Sequence, residues 1–138
     1  MKNPLTLLSA AGLVTLLTAG SALAYPTTII GTWVLRANNT QSIAINVGTQ
    51  GSVGTCPQIT GTLGGNLGAQ DPIIGYYCPA TGQLSFLRNS AGTGATYQVY
   101  NGQVSAVSSQ LDEQMTGNFL SFGGGAANGA FSFWAQND

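Results

Sequence analysis

The chemistry open to this chain is bounded by one omission: its 138 residues include no histidine. Without imidazole the usual general base is gone, and with it the Ser-His and Cys-His couples and most zinc sites. The carboxylates are Asp71, Asp112, Glu113 and Asp138. Asp112 and Glu113 are adjacent, so on a strand they point to opposite faces and on a turn both are solvated. A glycosidase pair instead needs two acids at a controlled separation. Asp71 precedes Pro72 and reads as a turn residue. The Gly123 to Gly125 run has neither the lysine nor the following helix of a phosphate loop, and no segment carries the spaced acids of a calcium loop. No catalytic residue, metal ligand or cofactor is assigned, and a non-enzymatic role is expected.

Cys56 and Cys78 are the only thiols. No CxxC spacing and no basic neighbour is present to lower a thiol pKa, which argues against redox or metal chemistry. Each is followed by proline, Pro57 and Pro79. The two bracket a pair of strand-like runs almost symmetrically about Leu67, so an antiparallel hairpin brings them together. A disulfide is the expected outcome, stabilising by about 3 kcal/mol in the chain-entropy account.

What remains is binding through aromatic, hydroxyl and amide groups, the mixture that lines small-molecule sites. Trp33, Phe86, Tyr97, Tyr100, Phe119, Phe133 and Trp134 supply the rings. The competing role for each ring is simply to fill the interior of the fold.

The N-terminus carries the pattern of an export signal. Lys2 supplies positive charge, Leu5 to Leu17 an apolar stretch too short for a membrane span, and Ala22-Leu23-Ala24 the small residues of a cleavage site. Residues 1–24 are read as a helical signal peptide and 25–138 as one domain, secreted or periplasmic. No cysteine stands at the cleavage site for a lipid anchor. The remainder has Arg36 and Arg88 against four carboxylates, too few cations for a phosphate-binding stripe or an anionic membrane surface. Nucleic acid and membrane are excluded as partners on that ground. The 43% hydrophobic content opposes disorder. A surface of Ser, Thr, Asn, Gln and Gly with net charge near zero favours self-association, so a homo-oligomer is expected.

Alternation of period two, broken by turn signals, gives eight strands. They are Gly31 to Asn38, Gln41 to Val47, Gln58 to Leu63, Ile73 to Cys78, Gln83 to Asn89, Ala95 to Ser105, Gln114 to Phe122 and Ala130 to Gln136. Pro72 cannot donate to a ladder, so the fourth strand is expected to begin after it. The sixth is either one strand bent at Asn101-Gly102 or two joined by a tight turn. The bend keeps an even strand count. No segment carries three or four turns of helical periodicity, so the fold class is all-β. Sequential hairpins predict an eight-stranded antiparallel up-and-down barrel over a two-sheet sandwich, because closure removes edges that a charge-poor chain cannot protect. Gly61, Gly75 and Gly117 lie mid-strand, where bending or close backbone approach calls for them.

Several short motifs extend this reading. Gly31-Thr32-Trp33 opens the first strand, Thr60-Gly61-Thr62-Leu63 lies in the third, Ser85-Phe86-Leu87-Arg88-Asn89 in the fifth, Tyr100-Asn101-Gly102-Gln103 in the sixth and Gly117-Asn118-Phe119-Leu120 in the seventh. Together they resemble the avidin and streptavidin group of calycin barrels. The resemblance implies a binding face on Trp33, Leu35, Leu63, Phe86, Thr96, Gln98, Tyr100 and Phe119. Where that group carries tyrosine and serine donors to the biotin ureido oxygen, this chain has Leu63 and Gly65. Where it carries an aspartate acceptor, Phe131 or Phe133 stands. High-affinity biotin binding is therefore not implied.

The sequence thus predicts a secreted barrel that binds a small uncharged or apolar ligand in one mouth. Trp33, Leu35, Phe86 and Phe119 would form the walls, and Thr96, Gln98 and Tyr100 would orient the ligand. The rival reading is a self-associating structural or adhesive protein of the extracellular matrix. A lectin or protein inhibitor working through the Ser90 to Gly94 and Gly123 to Gly129 loops stays open beside them.

Overall fold

A computed structural model describes residues 24–38, 41–64, 70–89, 96–106, 113–123 and 129–138. The proposed signal segment therefore lies outside the described residues up to position 23. Eight strands follow one another: β1 Gly31–Ala37, β2 Gln41–Gln50, β3 Gln58–Gly64, β4 Gln70–Cys78, β5 Gln83–Asn89, β6 Thr96–Val104, β7 Gln114–Gly123 and β8 Gly129–Asn137. Each pairs antiparallel with the next, and β8 returns to β1, closing the barrel. The all-β, up-and-down barrel expected from alternation is the architecture observed.

Alternation decides which side chains enter the lumen. On β1 the buried residues are Trp33, Leu35 and Ala37; on β2 they are Ile43, Ile45 and Val47. On β4 they are Asp71, Ile73, Gly75 and Tyr77. The outer wall between them carries Ser42, Asn46, Ser85, Asn101, Asn118 and Ser132, all exposed.

Three local expectations change. β4 begins at Gln70, so Pro72 lies inside it, opposite Thr62 of β3. The pairing of β4 with β5 stops at Ile73 opposite Arg88, leaving Pro72 paired on one side only, the edge condition that admits proline. Asp71 is consequently a buried strand residue and not a turn residue. By contrast, β6 bears out the single-strand reading that the even strand count favoured: it runs through Asn101 and Gly102, which pair with Ser85 and Leu84 on one side and with Asn118 and Gly117 on the other. Glu113 is buried and not solvated, and it accepts from Asn137 Nδ2 at 3.2 Å. Asp112 lies outside the described residues.

Gln58 stands opposite Tyr76 in the β3–β4 hairpin. Two residues further out on each strand, Cys56 and Cys78 form the expected disulfide. Such a bond suits an oxidising compartment.

The two ends of the barrel differ. At the end where β1 starts, residues 24–30 cross the opening as a strap. Ile29 is fully buried there, its carbonyl accepting from Trp33 Nε1 at 3.1 Å. Tyr77 Oη donates to Pro26 O at 2.7 Å, Gln50 Nε2 donates to Thr27 O, and Gln103 Nε2 donates to Tyr25 Oη. Bonds from β1, β2, β4 and β6 thus hold the strap over that end. The opposite end is where β1–β2, β3–β4, β5–β6 and β7–β8 connect.

Candidate functional site

Four rings form a ladder inside the barrel, because the residues that carry them are successive partners across β5 to β8. Phe86 pairs with Tyr100, Tyr100 with Phe119, and Phe119 with Phe131. The rings stack at centroid distances of 4.5, 4.7 and 5.0 Å, with interplanar angles of 9°, 18° and 25°. Phe133 meets Tyr100 edge-on at 5.4 Å. These offset and edge contacts suit the ring quadrupole. Glycines let the strands that carry them approach their neighbours closely: a Cβ on Gly75 would collide with Ser85 O and the Cα and Cβ of Phe86, and one on Gly117 with the backbone of Asn101 and Gly102.

One step closer to the connecting end, the next inward positions are polar. Arg88 pairs with Gln98 across β5–β6, and Gln98 with Ser121 across β6–β7. Asp71 lies two residues before Ile73, the partner of Arg88, and so is its diagonal neighbour. Arg88 Nε donates to Asp71 Oδ2 at 2.8 Å, and Nη2 lies 2.6 Å from the same oxygen. Arg88 Nη1 and Tyr100 Oη both donate to Gln98 Oε1 at 2.9 Å. The Ser121 hydroxyl is buried and has no hydrogen-bond partner among the described residues.

The electrostatics of this layer are balanced. Asp71 and Arg88 neutralise one another over side chains only 12% and 20% exposed. Burial pushes the Tyr100 phenol up to about 12, with the nearby Arg88 pulling the other way. The tyrosine is therefore a neutral hydrogen-bond donor at any physiological pH.

Of the residues singled out by sequence, Phe86, Gln98, Tyr100 and Phe119 are brought together. Trp33 is placed apart, its indole committed to the strap at the sealed end. Leu35 is fully buried on β1, pairing with Ile43 and Ala135. Leu63 is fully buried and pairs with Asp71. Thr96 begins β6 opposite Gly123. Gly65 and the loops 90–95 and 124–128 lie outside the described residues.

Sequence reasoning missed Asp71, Arg88 and Ser121. Arg88 shares the parity of Leu84 and Phe86, and Ser121 that of Met115 and Phe119, so alternation alone places both inward. Asp71 was hidden by Pro72. No family model, curated protein or solved structure matches the chain.

Proposed function

We propose that the protein is an exported, non-enzymatic binding module that holds a small uncharged ligand at the connecting end of the barrel. The observation that supports this most directly is the polar layer of Arg88, Gln98 and Ser121 set on the aromatic ladder, at the end opposite the strap. A barrel that needed only to be filled would be served by aliphatic side chains at these positions, since burying polar groups costs free energy unless they are fully paired. The layer is neutral in sum, which favours an uncharged ligand. An avidin-like architecture fits this reading, with Gln98 and Tyr100 at positions that the resemblance implies and Arg88 and Ser121 added to them.

Tryptophan emission is a poor reporter, because Trp33 sits at the sealed end and Trp134 beside Arg36 on the wall. Thermal unfolding is a better test, since a ligand at a hundred times its Kd stabilises by about 2.7 kcal/mol. The expected result is a rise in Tm with some members of a panel of neutral small molecules, abolished by Gln98→Leu. A panel that leaves Tm unchanged throughout would remove the proposal.

The second reading, self-association, is favoured by one feature of the outer wall. Ile74, Leu87, Val99 and Leu120 are successive partners across β4 to β7 and form an outward apolar row. Ile74 is 49% and Leu120 50% exposed. Ser42, Asn46, Ser85, Asn101, Asn118 and Ser132 interrupt the rest of the wall with polar groups, unlike the continuous apolar outer band of a membrane-spanning barrel. Light scattering on the wild type and on Leu120→Lys separates the readings: an open polymer dispersed by the substitution favours the structural role.

A further inference from the structure

We propose that the polar layer recognises a neutral carbonyl group, so that the ligand is an uncharged carbonyl compound with an apolar body, of the lactam or cyclic ketone kind. The inference rests on the binding role proposed above and specifies the chemistry of that site.

The argument is an inventory of donors and acceptors. Arginine can only donate, so the Gln98 atom that faces Arg88 Nη1 at 2.9 Å is the amide oxygen and not the nitrogen. That oxygen also accepts from Tyr100 Oη. Two donors fill its two lone pairs. The Gln98 amide is thereby fixed in orientation, with both acceptor sites used and the two N–H groups of Nε2 left to donate elsewhere.

Ser121 is the direct partner of Gln98 across β6–β7 and is 4% exposed. Its hydroxyl has no partner among the described residues, and alternation along β7 with Met115 and Phe119 aims it into the lumen. The layer therefore sets that hydroxyl directly across from an amide whose oxygen is occupied and whose remaining capacity is to donate through Nε2. An oxygen with two lone pairs in one plane can accept from both, which is the geometry of a carbonyl.

Charge selects among carbonyl groups. The Arg88 cation is already matched by Asp71, through Nε and through Nη2. A carboxylate entering this layer would bring a second negative charge next to Asp71 with no cation left to balance it, and would lose its hydration. A lactam or ketone oxygen meets the same donors without that penalty. Beside the layer, the stacked and buried Phe86, Tyr100 and Phe119 rings make the neighbouring lumen apolar, the environment that an apolar ligand body matches.

The test uses three probes of one size: ε-caprolactam, hexanoate and cyclohexane, titrated into isotopically labelled full-length protein and followed by NMR. The expected result is that caprolactam shifts the Gln98 side-chain amide resonances and binds roughly tenfold or more tighter than either comparison probe. Ser121→Ala is expected to weaken caprolactam binding roughly five- to tenfold. This variant keeps every hydrogen bond described for the layer, so its folding is checked simply by the unchanged resonances of Phe86 and Tyr100. Equal affinity for hexanoate and caprolactam, or binding of caprolactam unaffected by Ser121→Ala, overturns the carbonyl inference and leaves the binding role standing. Absence of any shift at Gln98, Tyr100 or Phe86 with all three probes, together with an unresponsive wider panel, removes both.

Discussion

Gln98 and Ser121 face each other across the β6–β7 ladder, yet among the described residues the carbonyl of one holds two hydrogen bonds while the hydroxyl of the other holds none. The two residues should therefore respond oppositely to apolar substitution. Ser121→Ala removes an unpaired buried hydroxyl and is expected to leave stability unchanged or raise it by up to about 1 kcal/mol. Gln98→Leu strips the acceptor from both Arg88 and Tyr100 and is expected to cost about 2–3 kcal/mol. Urea denaturation of the two variants measures both effects. A loss of more than about 1 kcal/mol for Ser121→Ala would mean that its hydroxyl is paired after all.

The Asp71–Arg88 pair gives a second expectation, because its members depend on each other more than the fold depends on the pair. Arg88→Met leaves a mostly buried carboxylate without its cation. The cost is expected to be about 2–3 kcal/mol, below the range for fully buried pairs because both side chains keep some contact with solvent. Adding Asp71→Leu to Arg88→Met should recover most of that loss. The recovery in the double variant, read from denaturation midpoints, is the informative quantity. Simple addition of the two single losses would show that the charges do not interact.

How much of this could be read in the sequence depends on which physical rule governed each residue. Period-two alternation is local, so the strands, the inward rings Phe86, Tyr100 and Phe119, and the hairpin that joins Cys56 to Cys78 were all legible. The glycines at 75 and 117 were legible as close-approach positions for the same reason. Register is not local. That Arg88 meets Asp71 depends on β4 extending back through Pro72, and a rule about proline in ladders pointed the other way. The rule fails here because β5 stops pairing at Ile73, a fact of barrel geometry that no residue of β4 encodes. The strap is a second case. Tyr25 to Ile30 carries no strand periodicity, and its role appears only once Tyr77, Gln50 and Trp33 are seen to converge on its carbonyls.

The strap can be tested through a residue that does not belong to it. Gly82 has a φ of 70°, a conformation that side chains rarely adopt, and a Cβ there would strike the ring of Tyr25. Gly82→Ala is therefore expected to cost about 1–2 kcal/mol from the backbone alone. It should also loosen the strap where Tyr25 meets Gln103. Limited proteolysis reads the second effect: the variant should be cut between Tyr25 and Thr28 under conditions in which the wild type resists. Equal resistance would mean that the bonds to Tyr77 and Gln50 hold the strap without the Tyr25 contact.

Tyr77 and Tyr100 together predict how the barrel fails in alkali. Burial raises both phenols to about 12 from an ordinary value near 10, with Glu113 and Tyr25 adding to the rise at Tyr77 and Arg88 opposing it at Tyr100. In the unfolded chain both groups lose their protons around pH 10, while in the folded barrel they keep them until about pH 12. Between those values the unfolded state binds fewer protons, so stability falls as pH rises. The stabilisation is fully present below pH 10 and is lost through pH 12, on the order of 2–3 kcal/mol for each tyrosine. Tyr100→Phe removes one titrating group and one hydrogen bond to Gln98. It should cost about 1 kcal/mol at pH 7 and yet flatten the decline above pH 10. Denaturation midpoints at pH 7, 10 and 11.5 for the wild type, Tyr77→Phe and Tyr100→Phe measure the slopes directly. An alkaline decline as steep in both variants as in the wild type would mean that neither buried phenol governs it.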